Sequence, residues 1–292
     1  MSRTTAIRHT GPVGLLTTLQ VAPLALLLAG FVLVPLAAIV VVSFLDYDSV
    51  RILPQGTLAN YAELIASSVT WRTYLNTLRY AAIVWAITLV LGFFVAYVLA
   101  FVVRGALWQT ALFLLCTIPF LTSNIIRMIA WVPFLGREGL LNRALLATGA
   151  IDRPLEFLLF SDFAVILAFV HLYTLFMVVP IFNTMMRIDR SLIEAAIDAG
   201  AGPFGVVGHV IVPLCKPGIA IGSVFVLTLV MGDFATVRLM SGGQSASVGL
   251  MIANQIGLLQ YPAACANAVV LLGVVLLLIG AILRAVDIRR EL

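Results

Sequence analysis

At 292 residues, 62% of them hydrophobic and only 10% charged, with a mean hydropathy of +1.14, the chain is too apolar for a water-soluble domain. Its formal net charge of +4 and pI near 9.2 come from scattered arginines without a basic run or basic–aromatic interleaving, which excludes nucleic acid as a partner and fits an anionic lipid surface. Cys116, Cys215 and Cys265, like His9, His171 and His209, are too dispersed for a disulfide or metal framework, and no nucleophile–base or phosphate-loop motif occurs, so catalysis within the chain is not expected.

Six apolar runs, roughly 21–45, 80–103, 106–135, 163–186, 218–237 and 266–283, predict helices that cross a hydrocarbon core of about 30 Å. Their Leu, Ala, Val and Phe residues show no period-two alternation, which argues against a transmembrane barrel; helices satisfy every backbone group internally, as lipid demands. The first run is about 25 residues without a charge and reads as a retained helix rather than a cleaved leader. The expected architecture is an all-α integral membrane protein, with a cytoplasmic segment over 1–20 and a six-helix domain over 21–292. In that arrangement Arg3, Arg8, Arg104, Arg187, Arg190, Lys216, Arg284, Arg289 and Arg290 share one side. The positive-inside bias then puts both termini and residues 187–217 in the cytoplasm, with 46–79, 136–162 and 238–265 outside.

Between the fourth and fifth runs lies "SLIEAAIDAGAGPFGVVGHVIVPLCKPG", residues 191–218, compact and polar in apolar surroundings. Ser191 with Glu194 three residues later has the form of a capping box. Ala195, Ala196 and Ala199 give a helix face that another protein can approach closely, and Gly200 suits a positive-φ break. Pro203 is placed to open a second short helix through Val207, with the chain turning back toward the membrane at Pro213 and Pro217. The pattern predicts a rigid helix–glycine–helix elbow shaped for a cytoplasmic socket.

The spacing carries a resemblance. Glu194-Ala195-Ala196, three residues, Gly200, nine residues, then Val210-Ile211-Val212-Pro213 resembles the EAA signature of the membrane subunits of binding-protein-dependent ABC importers; Val210 and Val212 stand for its isoleucine and leucine. Over nearly the whole chain the sequence is similar to the spermidine/putrescine-type permeases, in "GTLANYAELI" (56–65), "YLNTLRYAAIV" (74–84), "IPFLTSNIIRM" (118–128) and "GREGLLNRALLATGAIDRPLEFL" (136–158). It departs from them at "MGDFATVRLMSGG" (231–243). The resemblance implies a type I ABC importer permease in a bacterial cytoplasmic (inner) membrane. It implies a coupling role for Glu194, Ala195, Ala196, Gly200 and Pro213. The implied partners are a cytoplasmic ATPase dimer that binds ATP and Mg, a second and different permease subunit, and a periplasmic or extracellular solute-binding protein. No cofactor is expected in this chain.

Charges inside spans are costly, about 2.5–3.5 kcal/mol at a helix centre on insertion scales, so two need reasons. Arg127, in the third run, reads as a pairing or snorkelling group with a structural or gating role. Asp233, in the fifth, has two readings: pairing with Arg127 or Arg238, or facing a solute path beside an unwinding point at Gly232 and attracting an ammonium group. Asn124, Trp131, Tyr173 and Phe176, with His171, complete the candidate path, although each is as readily a packing or interface residue. Met177, Met185 and Met186 are expected to pack. Together these features point to a permease moving a polyamine or other small cationic or organic solute. The competing class is a receptor or scaffold that recruits a cytoplasmic partner through the 191–213 elbow without transporting.

Overall fold

The computed structural model describes residues 15–48 and 51–286; Arg3, Arg8, His9, Arg289 and Arg290, and most of the expected 1–20 segment, lie outside the described residues. Among the described residues the regular structure is helical apart from one hairpin. Helix α1 (Leu15–Ser43) is followed by the antiparallel strands β1 (Leu45–Tyr47) and β2 (Ile52–Gly56), a small exception to the all-α expectation. The buried Asn60 holds this exit in place, its Nδ2 donating to the Ser43 carbonyl at 3.1 Å and the Leu45 carbonyl at 2.9 Å. Asn60 belongs to α2 (Ala59–Ala66), which leads to α3 (Ser68–Tyr97), extended to Val102 by a π-helical turn.

Next come α4 (Ala106–Thr117), α5 (Asn124–Leu135), α6 (Leu140–Ala147) and α7 (Asp162–Met185). The elbow holds α8 (Arg190–Asp198), α9 (Pro203–Val206) and α10 (Val212–Leu214), and α11 (Lys216–Gly232), α12 (Ala235–Met240), α13 (Val248–Gly257) and α14 (Tyr261–Ala285) follow.

Four helical stretches among the described residues are long and apolar enough to cross a membrane: Gln20–Ser43, Ser68–Val102, Asp162–Met185 and Tyr261–Ala285. The bent pair Pro203–Leu214 and Lys216–Gly232, at 68°, makes a fifth if counted as one span. The bend has a local cause: Pro217 lacks an N–H and its ring crowds the carbonyl four residues back, at Pro213. The expected third run, 106–135, is not one helix. After α4 the chain makes a 3-10 turn over Ile118–Leu121, with Pro119 early in it, and Thr122 and Ser123 are extended before α5 resumes. The second and sixth spans, conversely, begin earlier than hydropathy suggests, because Ser67 caps α3 by accepting from Thr70 N and Pro262 fits the first turn of α14.

The centre of the fold is α7, packed between α3 and α11, with α14 beside α11 and α1 lying along α14. Val165, Ala168, Phe169, Met177, Ile181 and Met185 of α7 are all buried, so Met177 and Met185 pack as expected, whereas Met186 is half exposed. Lipid gives no hydrophobic drive between helices, so such seams rely on close backbone approach and interhelical hydrogen bonds. Both are present. A Cβ added at Gly218 would lie 2.6 Å from the Pro180 carbonyl oxygen, and one at Gly222 would lie 2.6 Å from the Met177 sulfur. These two glycines, four apart on α11, let it press onto α7. Trp85 Nε1 donates to Ser223 Oγ (2.8 Å) between α3 and α11, and the Tyr74 hydroxyl donates to the Asn267 carbonyl (3.0 Å) between α3 and α14.

Candidate functional site

The elbow departs in detail from its expected construction and keeps its expected shape. The N-cap of α8 is Asp189, not Ser191: Asp189 Oδ1 accepts from Ser191 N at 3.0 Å, and that hydrogen bond holds the Asp189 carboxyl below the usual carboxylate range. Ser191 therefore sits inside the first turn, and its N–H is already taken by an acceptor two residues back, which the shorter reach of an Asx turn favours over a capping box. The C-terminus follows the Schellman pattern: Gly200 N donates to the Ile197 carbonyl (2.8 Å) and Ala201 N to the Ala196 carbonyl (2.9 Å). Gly200 has φ +88°, the left-handed conformation that its position in the sequence suggested.

The second arm is longer than expected, running helically from Pro203 through a π turn at Val207–Ile211 to Leu214, because Pro213 falls where its missing N–H costs little beside the widened turn. Glu194, Ala195 and Gly200 are exposed, Ala196 is half-buried against the elbow's own apolar residues, and Pro213 is half-buried. Phe204, in the first turn of the second arm, is 94% exposed. Sequence reasoning passed over it, since one Phe among apolar and glycine neighbours carries no distinguishing pattern.

Two cavities flank α7 and α11. One, of about 480 Å³, is lined by Asn124, Met128, Tyr173, Gly232, Asp233 and Thr236, among others, and Asp233 is its sole charged lining residue. It sits where α11 stops: Asp233 is extended (φ −78°, ψ 121°), so the helix breaks directly after Gly232 as its glycine suggested. The Asp233 carboxylate accepts from the Tyr173 hydroxyl (2.6 Å), from Thr236 Oγ1 (2.7 Å) and from Thr236 N (2.9 Å), fixing the chain as it enters α12. Of the two readings, the pairing with Arg127 or Arg238 does not form. Arg127 donates to Asn124 Oδ1, and Arg238 donates to Asn254 Oδ1 (2.9 Å) over the Phe234 ring; hydroxyl and backbone donors sit nearer Asp233 than either guanidinium.

The second cavity, of about 900 Å³, opens toward the elbow and is lined by Phe176, Asn183, Arg187, Leu192, Ile221 and Phe225. A chain of rings, Tyr173–Phe176–Phe225, with 6.1 Å between successive centroids, runs from the wall of the first cavity to the wall of the second. Thus of the six candidate path residues, Asn124, Tyr173 and Asp233 share one cavity and Phe176 lines the other. Arg127 is not among the lining residues of the first and reaches it through its hydrogen bond to Asn124. Trp131 stacks edge-on against His171 (5.5 Å) and Phe134 (5.7 Å), a packing role. Phe225 joins the group on structural grounds alone, since one Phe among many in an apolar run carries no distinguishing pattern.

With a seam of spanning helices, a protruding elbow and cavities at a broken span, the architecture is that of a membrane transport subunit. Residues 88–287 match the family described as "Binding-protein-dependent transport system inner membrane component", and the chain belongs to it. Among curated proteins it is 33% identical over 243 residues to the spermidine/putrescine transport system permease protein PotB of Salmonella typhimurium, covering 82% of this chain and 83% of that one. The PotB protein of Escherichia coli is 32% identical, covering 82% and 87%. A putative 2-aminoethylphosphonate transport system permease protein, PhnU of Salmonella paratyphi A, is 28% identical, covering 73% of each. Among solved structures, a bacterial ABC transporter involved in the import of the acidic polysaccharide alginate superposes with a TM-score of 0.73 at 17% identity, covering 92% of this chain and 94% of the other. The chain is therefore an inner-membrane permease with the ABC-permease fold.

Proposed function

We propose that this permease forms half of the translocation path of a polyamine importer and couples it to a cytoplasmic ATPase through the elbow. The path takes shape with a second, different permease subunit. The exposed Ile125, Ile126 and Ile129 of α5, beside an Arg127 Nε that is buried without an acceptor among the described residues, support a helical partner on that face. ATP and Mg belong to the ATPase subunits, and a solute-binding protein delivers ligand on the opposite side. Counting the bent pair and the broken 106–135 stretch as one span each gives six, with both termini and residues 187–217 cytoplasmic; Glu194, Ala195, Ala196, Gly200 and Pro213 lie in the coupling element, whose exposed apolar residues suit a protein groove better than open water. A cysteine placed at position 200 should react with an impermeant reagent only after cells are opened; labelling in intact cells would reverse the orientation.

The observation that carries the substrate reading is Asp233, one carboxylate on a cavity at a break in a span, in a chain whose PotB relatives are named for spermidine and putrescine. A carboxylate offers about four lone-pair sites, so three internal donors leave it able to accept an ammonium group. Two unit charges 4 Å apart exchange about 4 kcal/mol at an effective dielectric constant of about 20. Asp233→Asn should therefore lower uptake of putrescine or spermidine by at least about tenfold, the equivalent of about 1.4 kcal/mol. Tyr173→Phe, which removes one donor and keeps the charge, should leave more uptake. Radiolabelled uptake of amines, amino-acid derivatives and organic anions with the cognate binding protein tests this: transport confined to anions, or indifferent to Asp233→Asn, would refute the cation assignment.

A further inference from the structure

Two spans end together at a third, smaller cavity at the root of the elbow, apart from the two cavities described above. Ser68–Val102 stops at its rim, and so does Asp162–Met185. The cavity measures about 270 Å³, and its walls include Val103, Arg104, Gln109, Met186 and Arg190. Gln109 closes the floor by donating through Nε2 to the Leu99 carbonyl (2.8 Å) and the Met186 sulfur (3.2 Å). Arg104 and Arg190 come from different segments and are exposed. The ion pairs among the described residues are Arg79–Asp162 and Arg137–Glu156, so among those residues no carboxylate neutralises either guanidinium here.

We infer that this cavity is a site for the phosphate group of an anionic phospholipid. Depth argues for lipid: where two apolar spans end is the level at which headgroup phosphates lie. Chemistry argues for phosphate: a guanidinium presents paired N–H donors that match phosphate oxygens, and two of them converge with charge uncompensated. Arg190 opens α8, so an occupied site braces the first turn of the elbow against the membrane surface.

The test is native mass spectrometry of the purified full-length chain, with its associated subunits, in micelles supplemented with phosphatidylglycerol or phosphatidylcholine. Phosphatidylglycerol should be retained in preference, and Arg104→Gln and Arg190→Gln should each lower its retention about fivefold, the equivalent of about 1 kcal/mol per arginine at an anionic surface. Arg153→Gln, exposed in the segment that leads into the opposite end of α7, should leave retention unchanged. Equal retention of the two lipids, or equal retention by the wild-type chain and the Arg104→Gln/Arg190→Gln chain, overturns the inference. Displacement of the lipid by inorganic phosphate, with loss of displacement in the double variant, would assign the site to a free anion and overturn the lipid source.

Discussion

The two ends of α7 are built on opposite plans. At one, Asp162 opens the helix and receives three donors, the Tyr80 hydroxyl (2.5 Å), Ser245 Oγ and the Arg79 guanidinium, so α3, α7 and the loop before α13 are tied at a single carboxylate. Just beyond the other end stands the elbow, with a helix cap, a left-handed glycine and an aromatic ring left in the open. Between the ends, α7 is held by backbone contact with α11. Rigidity thus accumulates along the seam, while the elbow is internally stiff yet unsatisfied on its surface. A body that must pass motion from one protein to another needs this division: a firm lever and an unfilled contact face.

The seam side of the contrast breaks most severely at Gly218. A side chain there meets the Pro180 carbonyl oxygen at 2.6 Å and the Ile181 Cα at 3.0 Å, which are backbone atoms that cannot rotate away. Overpacking ordinarily costs about 1–3 kcal/mol, and a clash with backbone stands at or above the upper end. Gly218→Leu should abolish recovery of monodisperse protein from membranes, and Gly218→Ala, which already carries the offending carbon, should lower its thermal stability. Wild-type yield and melting for Gly218→Leu would show that the α7–α11 seam does not hold the fold.

The elbow side should break differently, in function and not in folding. Gly200 has nothing within 4 Å of an added Cβ, so space is not at issue; its φ of +88° is. Holding a β-branched residue there costs about 1–3 kcal/mol, which the elbow escapes by changing its bend. Gly200→Val should accumulate to normal levels and fail to drive solute uptake. Normal uptake with an intact ATPase partner would remove the elbow from the coupling mechanism.

How much of this was legible beforehand follows the same division. The elbow was readable because its pattern is local: Glu194-Ala195-Ala196 to Gly200 to Pro213 lies within one short stretch, and the positive φ at Gly200 follows from the residue itself. The cap was misassigned by two residues because Asp189 and Ser191 both suit the role, and sequence alone does not say which one's carbonyl starts the helix. Hydropathy located the apolar runs but joined 106–135 into one span, since Pro119 and the Thr122-Ser123 pair interrupt the helix without interrupting apolarity. The Gly218–Gly222 pair went unremarked in the sequence, because two glycines in an apolar run do not say which helix they receive. Asp233 was recognised as unusual, and Asn124 and Tyr173, named beside it, line the same cavity. Its hydrogen-bond partners, Tyr173 and Thr236, were missed because one reading matched the half-buried carboxylate to a charge when neutral donors were closer.

The smallest expected effect, and the one that most sharpens the contrast, belongs to Phe204. At 94% exposure it contributes nothing to the packing of this chain, so its removal should leave folding and membrane insertion untouched. If the ring enters an ATPase groove, it gains what a buried phenylalanine gains on leaving water, about 1.5–3 kcal/mol, and Phe204→Ala should weaken association of the ATPase subunit by roughly ten- to a hundredfold. Unlike Gly200→Val, the loss should be reversible by mass action, because the elbow keeps its shape and only one contact is missing. Raising the ATPase concentration over reconstituted permease should therefore restore coupled uptake in Phe204→Ala and not in Gly200→Val. Equal ATPase affinity for the wild-type and Phe204→Ala chains would place the groove contact elsewhere on the elbow, and an uptake defect that persists at saturating ATPase would mean that Phe204 shapes the lever and is not merely part of its contact face.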